Sequence, residues 1–189
     1  MKQNIILISG KAGHGKTTFA NLLEKELTAK DRSVLRIAFA DYLKYICTKY
    51  YGWDGVKDER GRQILQHIGT DVVRARDNNF WADIVSRLVN ALDEEYDYYI
   101  IDDVRFPNEI ESFPLENTLH VRLNRYTVEG KNHLCRRYIN PLMTEEERTH
   151  SSEIALDDYA PDISITNFDD RLGLLQESAE LLAEELTND

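Results

Sequence analysis

Gly10-Lys11-Ala12-Gly13-His14-Gly15-Lys16-Thr17 fits the pattern G-x-x-x-x-G-K-[ST], and the apolar run Ile5-Ile6-Leu7-Ile8 leads into it. An unbroken apolar run of this length reads as a strand buried on both faces. After the loop, Phe19, Leu22, Leu23 and Leu27 recur at helical spacing, as a helix packed on a sheet requires. Glycines at 10, 13 and 15 let the backbone take positive φ and approach an anion closely, so that successive N–H groups turn toward phosphate oxygens. Lys16 is placed to bridge the β and γ phosphates and Thr17 to set its hydroxyl on Mg²⁺, while the opening helix aims its positive end at the same phosphates. The expectation is a nucleoside triphosphate site at Gly10, Ala12, Gly13, His14, Gly15, Lys16, Thr17 and Thr18. His14 enters it through its backbone N–H rather than its ring.

The rest of the chain suits that start. At 189 residues and 42% hydrophobic content, a single α/β domain spanning 1–189 is expected. The first strand begins at once, without a signal-peptide pattern, and no apolar stretch is long enough to cross a bilayer, so a soluble, cytoplasmic protein is expected. Cys47 and Cys135 are far apart and outside any metal spacing, and read as packing or incidental thiols; His133-Leu134-Cys135 is too short to be a metal site. A net charge of −11 weighs against a broad nucleic-acid-binding face, which needs clustered Lys and Arg. The charge is uneven. Residues 140–189 carry 14 acids against Arg148 and Arg171, whereas basic residues gather at Lys57–Arg62, Arg74–Arg76 and Arg122–Arg137, the segments able to offer positive potential to phosphates.

Strands are expected at Ile5–Ser9, Val34–Phe39, Tyr98–Asp102, Leu119–Leu123 and Ile163–Thr166. Helices are expected at Asp41–Tyr51, Gln63–Arg74 and Phe80–Leu92, with a last one on the stripe Leu172, Leu175, Ala179, Leu182 and Leu186. This alternation predicts a three-layer α/β/α fold on a mainly parallel five-stranded sheet. Residues 124–150 differ, being polar, basic at first, broken by Gly130 and Pro141, and weak in apolar periodicity. They read as a mobile lid whose Arg125, Arg136, Arg137 and Arg148 can reach a phosphate site.

Tyr98-Tyr99-Ile100-Ile101-Asp102-Asp103 is an apolar strand ending in acids, the arrangement in which a carboxylate holds the Mg²⁺ of a bound nucleotide. Strand alternation sends Asp102 and Asp103 to opposite faces, and which of them meets the metal stays open.

Further motifs carry a resemblance. Asp103-Val104-Arg105-Phe106-Pro107-Asn108-Glu109 after that strand resembles the signature of the bacteriophage-type deoxynucleoside monophosphate kinases, a branch of the P-loop nucleotide kinases. Phe39-Ala40-Asp41 with Lys44, the run Gln66-His67-Ile68-Gly69-Thr70-Asp71 with Arg74 and Phe80-Trp81, and His150-Ser151-Ser152-Glu153 are similar to further family segments. Ile163-Ser164-Ile165-Thr166-Asn167 is similar to the last strand and its Asn-bearing turn near adenine. Tyr42 stands where the family often has Pro, and Asp102 where it often has a small polar residue, so Asp103 is the acid that aligns.

The resemblance implies Mg²⁺-dependent transfer of the γ-phosphoryl group of ATP to a deoxynucleoside monophosphate. It implies catalytic roles for Lys16, Arg105, Arg136 and Arg137, and an ATP contact at Asn167. It implies acceptor binding by Asp41, Lys44, Arg74, Trp81, Asp103, Arg105 and Glu153, and metal contacts from Thr17 with Asp102 or Asp103. The acceptor is already an anion, so alignment and charge neutralisation matter more than a general base. The alternatives are a P-loop kinase of another small phosphorylated metabolite, dephospho-coenzyme A-like or phosphomevalonate-like, a nucleotide-dependent switch, and a nucleic-acid end kinase. A homodimer and a phage origin, with the host cytoplasm as location, stay open.

Overall fold

In a computed structural model, which describes residues 4–129, 134–168 and 172–188, the chain runs β1 (Ile5–Ser9), α1 (Lys16–Ala29), β2 (Val34–Ile37), α2 (Ala40–Tyr50), α3 (Glu59–Gln66), a π-helical continuation (His67–Arg74), α4 (Phe80–Ala91) and β3 (Tyr98–Val104). It continues through α5 (Pro107–Glu111), β4 (Thr118–Glu129), β5 (Leu134–Arg137), α6 (Glu145–Thr149), α7 (Ser151–Ile154), β6 (Ile163–Phe168) and α8 (Leu172–Thr187). Gly130, His133 and Arg171, which entered the sequence reading, lie outside the described residues. No helix among those described is long and apolar enough to cross a membrane.

The parallel strands stand in the order β2-β3-β1-β4-β6, with β1 at the centre and buried at every residue. Side-chain alternation divides its load. Ile6 and Ile8, with Tyr98, Ile100, Val121 and Leu123, face Phe19, Leu23 and Leu27 of α1 and Leu175, Ala179 and Leu182 of α8. Ile5 and Leu7, with Tyr99 and Ile101, face Ala82, Val85 and Val89 of α4 and Ile110 of α5. Each fully buried aliphatic side chain contributes about 1.5–3 kcal/mol, which makes β1 the strand least able to tolerate a polar residue. A third cluster, Leu43, Cys47, Trp53, Ile68 and Trp81, sits between α2, the π segment and α4, and holds these helices together beside the sheet.

Several boundaries differ from those expected. Strand β2 stops at Ile37, because Ala38 and Phe39 already turn into α2. Helix α3 starts at Glu59, earlier than expected, since the Asp58 side chain caps it by accepting the Gly61 N–H at 2.7 Å. It then widens, Ala75 N–H reaching Thr70 O five residues back. Leu172, counted in the α8 stripe, is 60% exposed and lies outside the core.

Residues 124–150, expected to be a mobile lid, contain strand structure that the sequence reading did not place. Strand β4 continues to Glu129 and pairs antiparallel with β5, so the sheet has six strands rather than five. Tyr126 pairs with Phe168 of β6 on one side and with Arg137 of β5 on the other. Strand β5 thus takes up the edge of β4 that β1 leaves at Ser9, above the phosphate loop. Arg125, Thr127 and Arg136 make one face of the arm polar, and on the other Tyr126 lies 6.2 Å from the Phe168 ring beside Arg137, a mixed pattern too short to give a period in the sequence. Beyond the arm, α6 is closed by a capping box between Thr144 and Glu147.

Candidate active site

Helix α1 begins at the carboxyl end of β1 with Gly15 in the left-handed region (φ 95°), no capping side chain and no acid in its first turn. Its free amides and dipole therefore remain available to an anion. Gly10 is required by contact as well as conformation: at φ +141°, a Cβ there would stand 2.5 Å from Leu123 O. Lys16 folds its ammonium back over the loop, donating to Gly10 O at 2.7 Å and Lys11 O at 3.1 Å. Burial, reinforced by the nearby Arg105 charge, lowers its pKa to about 7 against the pull of Glu153, Asp103 and Asp102. An arriving polyphosphate would restore the charge.

Two clefts meet at this loop. One is lined by Gly13, Gly15, Lys16, Thr17, Thr18, Arg125, Asn167, Phe168 and Leu172, and so gathers the predicted Thr18 and Asn167 with the loop. Asn167 is buried, its amide nitrogen packed against Gly15. The other cleft is larger and lies across Lys16 and Thr17, lined by Ala12, Asp41, Lys44, Lys57, Arg62, Gln66, Asp102, Asp103, Arg105 and Glu153. It deepens into a slot walled by Phe39, Leu43, Leu65, Trp81 and Phe106.

The two acids of β3 do not part as alternation predicts. Leu7 pairs with Ile101 and Ser9 with Val104, so β3 carries an extra residue there, a bulge that turns Asp102 and Asp103 into the same cleft. Their partners differ. Asp103 accepts the N–H of Phe39 at 2.8 Å and of Ala40 at 2.9 Å, one with each oxygen, and fastens the start of α2 to the sheet. Burial raises its pKa, and those amides oppose the rise. Asp102 pairs through one oxygen with Arg36 at 2.9 Å. Asp41 accepts the Ala38 N–H and the Lys44 ammonium, at 3.0 and 2.8 Å.

Arg105 leaves β3 toward the loop and donates to Glu153 Oε1 at 2.6 Å, while Glu153 Oε2 accepts the Ala12 N–H at 3.0 Å. Helix α7, which carries Glu153, is thus tied to the phosphate loop, and Lys11 adds a second tie to Asp157 at 2.8 Å. His150 caps that helix, accepting the Ser152 N–H at 3.3 Å.

Two residues expected at the acceptor are more deeply engaged than a solvated cation or an open aromatic platform. Arg74 is buried against Glu109 and stacks 4.1 Å above the Phe106 ring. Glu109, 1% exposed, also accepts the N–H of Arg105 and Phe106, at 2.6 and 3.1 Å; burial raises its pKa to about 7 against the pull of Arg74. Trp81 is 2% exposed and donates its indole N–H to Gly69 O at 2.9 Å, so it is core that forms one wall of the slot.

On the arm, Arg137 lines the space over Gly10 and Lys11 with Arg105 and Arg122, whereas Arg136, the next residue on the strand, takes the opposite face. The arm is held to the loop through His14, whose ring, not only its backbone, is engaged: Nδ1 lies 3.2 Å from Leu123 O and Nε2 3.4 Å from Tyr138 O. Burial lowers the His14 pKa, against the two backbone carbonyls, which favour the charged ring. Arg125 donates to Gly13 O at 2.9 Å and stacks 4.1 Å above the Tyr138 ring. Tyr138 and Phe168 escaped sequence reading, one lying in an unpatterned segment and the other two residues beyond the expected strand Ile163–Thr166. Cys47 is buried and Cys135 exposed, and neither forms a disulfide among the described residues.

A central parallel sheet, a phosphate loop at its carboxyl edge and two clefts sharing one lysine define a P-loop kinase. The chain belongs to the deoxynucleotide monophosphate kinase family, whose sequence pattern matches residues 56–177. It is 30% identical over 102 residues, 54% of the chain, to an uncharacterized kinase, mug58, of Schizosaccharomyces pombe, and the match spans 35% of that protein. The architecture is similar to a sugar kinase from a Janibacter species, with a TM-score of 0.54 and 14% identity over 98% of this chain and 96% of that one. Shikimate kinase from Bacteroides thetaiotaomicron also aligns, with a TM-score of 0.49 and 16% identity over 97% and 98% of the two chains.

Proposed function

We propose that this protein transfers the γ-phosphoryl group of ATP to the phosphate of a deoxynucleoside 5′-monophosphate, releasing ADP and the diphosphate. The observation that carries the proposal is that Lys16 and Thr17 line both clefts, so donor and acceptor phosphates meet at one ammonium. ATP lies in the cleft of Gly13, Thr18 and Asn167, with its base toward Phe168 and Arg125. The acceptor lies in the other cleft, its phosphate toward Arg105, with Asp41 and Lys44 at the rim and Trp81 forming the inner wall.

The donor set suits Mg²⁺, which prefers a few carboxylate or hydroxyl oxygens together with substrate phosphates and water. Thr17 is exposed at the head of α1, and Asp102 engages Arg36 through only one oxygen; these two residues would hold the ion, while Asp103 keeps its amides. When bound, the ion supplies positive charge to the transferring group. Lys16 neutralises the donor phosphates. Arg105 leaves Glu153 for the acceptor phosphate, where a planar fork gives bidentate contact. Arg137 approaches from the arm, which acts as the lid and excludes water, and Arg136 supports it from the outer face. Arg74 acts at one remove, by holding Glu109 beneath Arg105.

ADP formation from Mg²⁺ and ATP, followed with each deoxynucleoside monophosphate and its ribose counterpart, tests this reading. Diphosphate formed from a deoxy acceptor supports it. ATP binding without product from any nucleotide would move the chain to another acceptor class.

A further inference from the structure

The inner slot has a feature that phosphoryl transfer does not use. Helix α3 and its π continuation present Gln66, Thr70 and Arg74 to the slot, four residues apart on one face. In an α-helix such a row drifts forward by about 40° at each step; the wider π turn reverses the drift and keeps these side chains over one opening. Arg74 is committed to Glu109. The Gln66 carboxamide and the Thr70 hydroxyl make no hydrogen bond with the described residues, although both line a slot with largely apolar walls. Between them Gly69 keeps the floor low: a Cβ there would meet Leu43 Cδ2 at 2.6 Å.

The slot measures about 180 Å³, well above the roughly 10–15 Å³ of such volume that one water needs, and has room for a planar ring. Flat apolar walls with a few convergent polar groups are how a nucleobase is held.

We propose that Gln66, assisted by Thr70, reads the Watson–Crick edge of the acceptor base and sets base preference. This rests on the acceptor being a deoxynucleoside monophosphate. A carboxamide offers one acceptor and one donor side by side, and by rotating matches the edge of any base that also presents one of each. A carboxylate offers acceptors only. It matches the adjacent N1–H and N2–H groups of guanine and opposes the carbonyls of thymine.

The test is the ratio of kcat/KM for dGMP to that for dTMP in wild type, Gln66→Glu and Thr70→Val, with ATP KM and circular dichroism measured alongside. Gln66→Glu should raise the ratio by about tenfold or more, the effect of one gained and one lost hydrogen bond, with ATP KM unchanged. Thr70→Val should move the ratio by at least about threefold in either direction. A ratio within twofold of wild type in a folded Gln66→Glu protein overturns the inference; if that variant does not fold, Thr70→Val decides on the same criterion. Wild-type protein inactive with every deoxynucleoside monophosphate overturns the acceptor class itself, a different failure from an active wild type whose ratio does not respond.

Discussion

Glu153 holds Arg105 at 2.6 Å with one oxygen and the Ala12 N–H of the phosphate loop at 3.0 Å with the other. A carboxylate thus stands at a loop amide facing the cleft in which two phosphates are proposed to meet. The Glu153 side chain is only 8% exposed and that of Arg105 26%, so the pair is sheltered from the screening that weakens surface ion pairs. A double-mutant cycle with Arg105→Ala and Glu153→Ala, read by urea denaturation, should give a coupling of about 1–3 kcal/mol. Additive single effects would show that the two side chains do not support one another.

Lys16 makes a pH-dependent prediction. Its folded pKa, about 7, lies below the unfolded value of 10.5, so the fold favours the neutral amine. The cost of keeping it charged is complete below pH 7 and disappears as pH rises toward 10.5. Lys16→Met should therefore be more stable than wild type at pH 6, by on the order of a few kcal/mol, with the gap closing by pH 10, as denaturant midpoints would record. The same variant should lose transfer activity.

ATP binding should draw a proton onto Lys16. Anionic phosphates raise its pKa again, so at pH 8 wild-type protein should take up close to one proton per ATP, and Lys16→Met none. Calorimetry in buffers of differing ionisation enthalpy measures this difference. Equal uptake by the two proteins would exclude Lys16 as the group that recharges.

The buried pair of Glu109 and Arg74 ties the helices beside the sheet to the end of β3. Glu109→Ala strands a buried guanidinium and frees two backbone amides, and should cost about 3–5 kcal/mol. Glu109→Gln, which keeps an acceptor for those amides, should cost less. Urea midpoints that fall equally for the two variants would contradict this ordering.

Adjacent arginines on β5 should behave differently. Arg137→Ala should lower kcat by about tenfold or more with little change in ATP binding, because the contact proposed for it forms with the transferring group. Arg136→Ala, on the opposite face, should have a smaller effect. Single-turnover rates separate the two, and equal losses would refute the assignment by strand face.

The centre of this molecule was legible in its sequence because central parallel strands carry their burial as uninterrupted apolar runs: Ile5–Ser9 lies where the sequence placed it, and Gly10–Thr17 follows as the loop. Legibility fell where backbone, not side chains, did the work. The β4–β5 arm is short and mixed in polarity, and the bulge that brings Asp102 and Asp103 to one cleft is a pairing event with no local residue signature. Trp81 and Arg74 were placed near the acceptor cleft from motif likeness, but a sequence cannot tell an indole that lines a slot from one that also closes a core, or a free guanidinium from one paired to Glu109 35 residues away.

In the proposed reaction the γ-phosphoryl group passes directly to a second bound nucleotide. Incubating the protein with Mg²⁺, γ-labelled ATP and a deoxynucleoside monophosphate, and locating the label after a single turnover, tests it most directly. Label is expected in the β position of the deoxynucleoside diphosphate, with none from Lys16→Met protein. Label found only in inorganic phosphate, at a rate indifferent to the monophosphate, would contradict it.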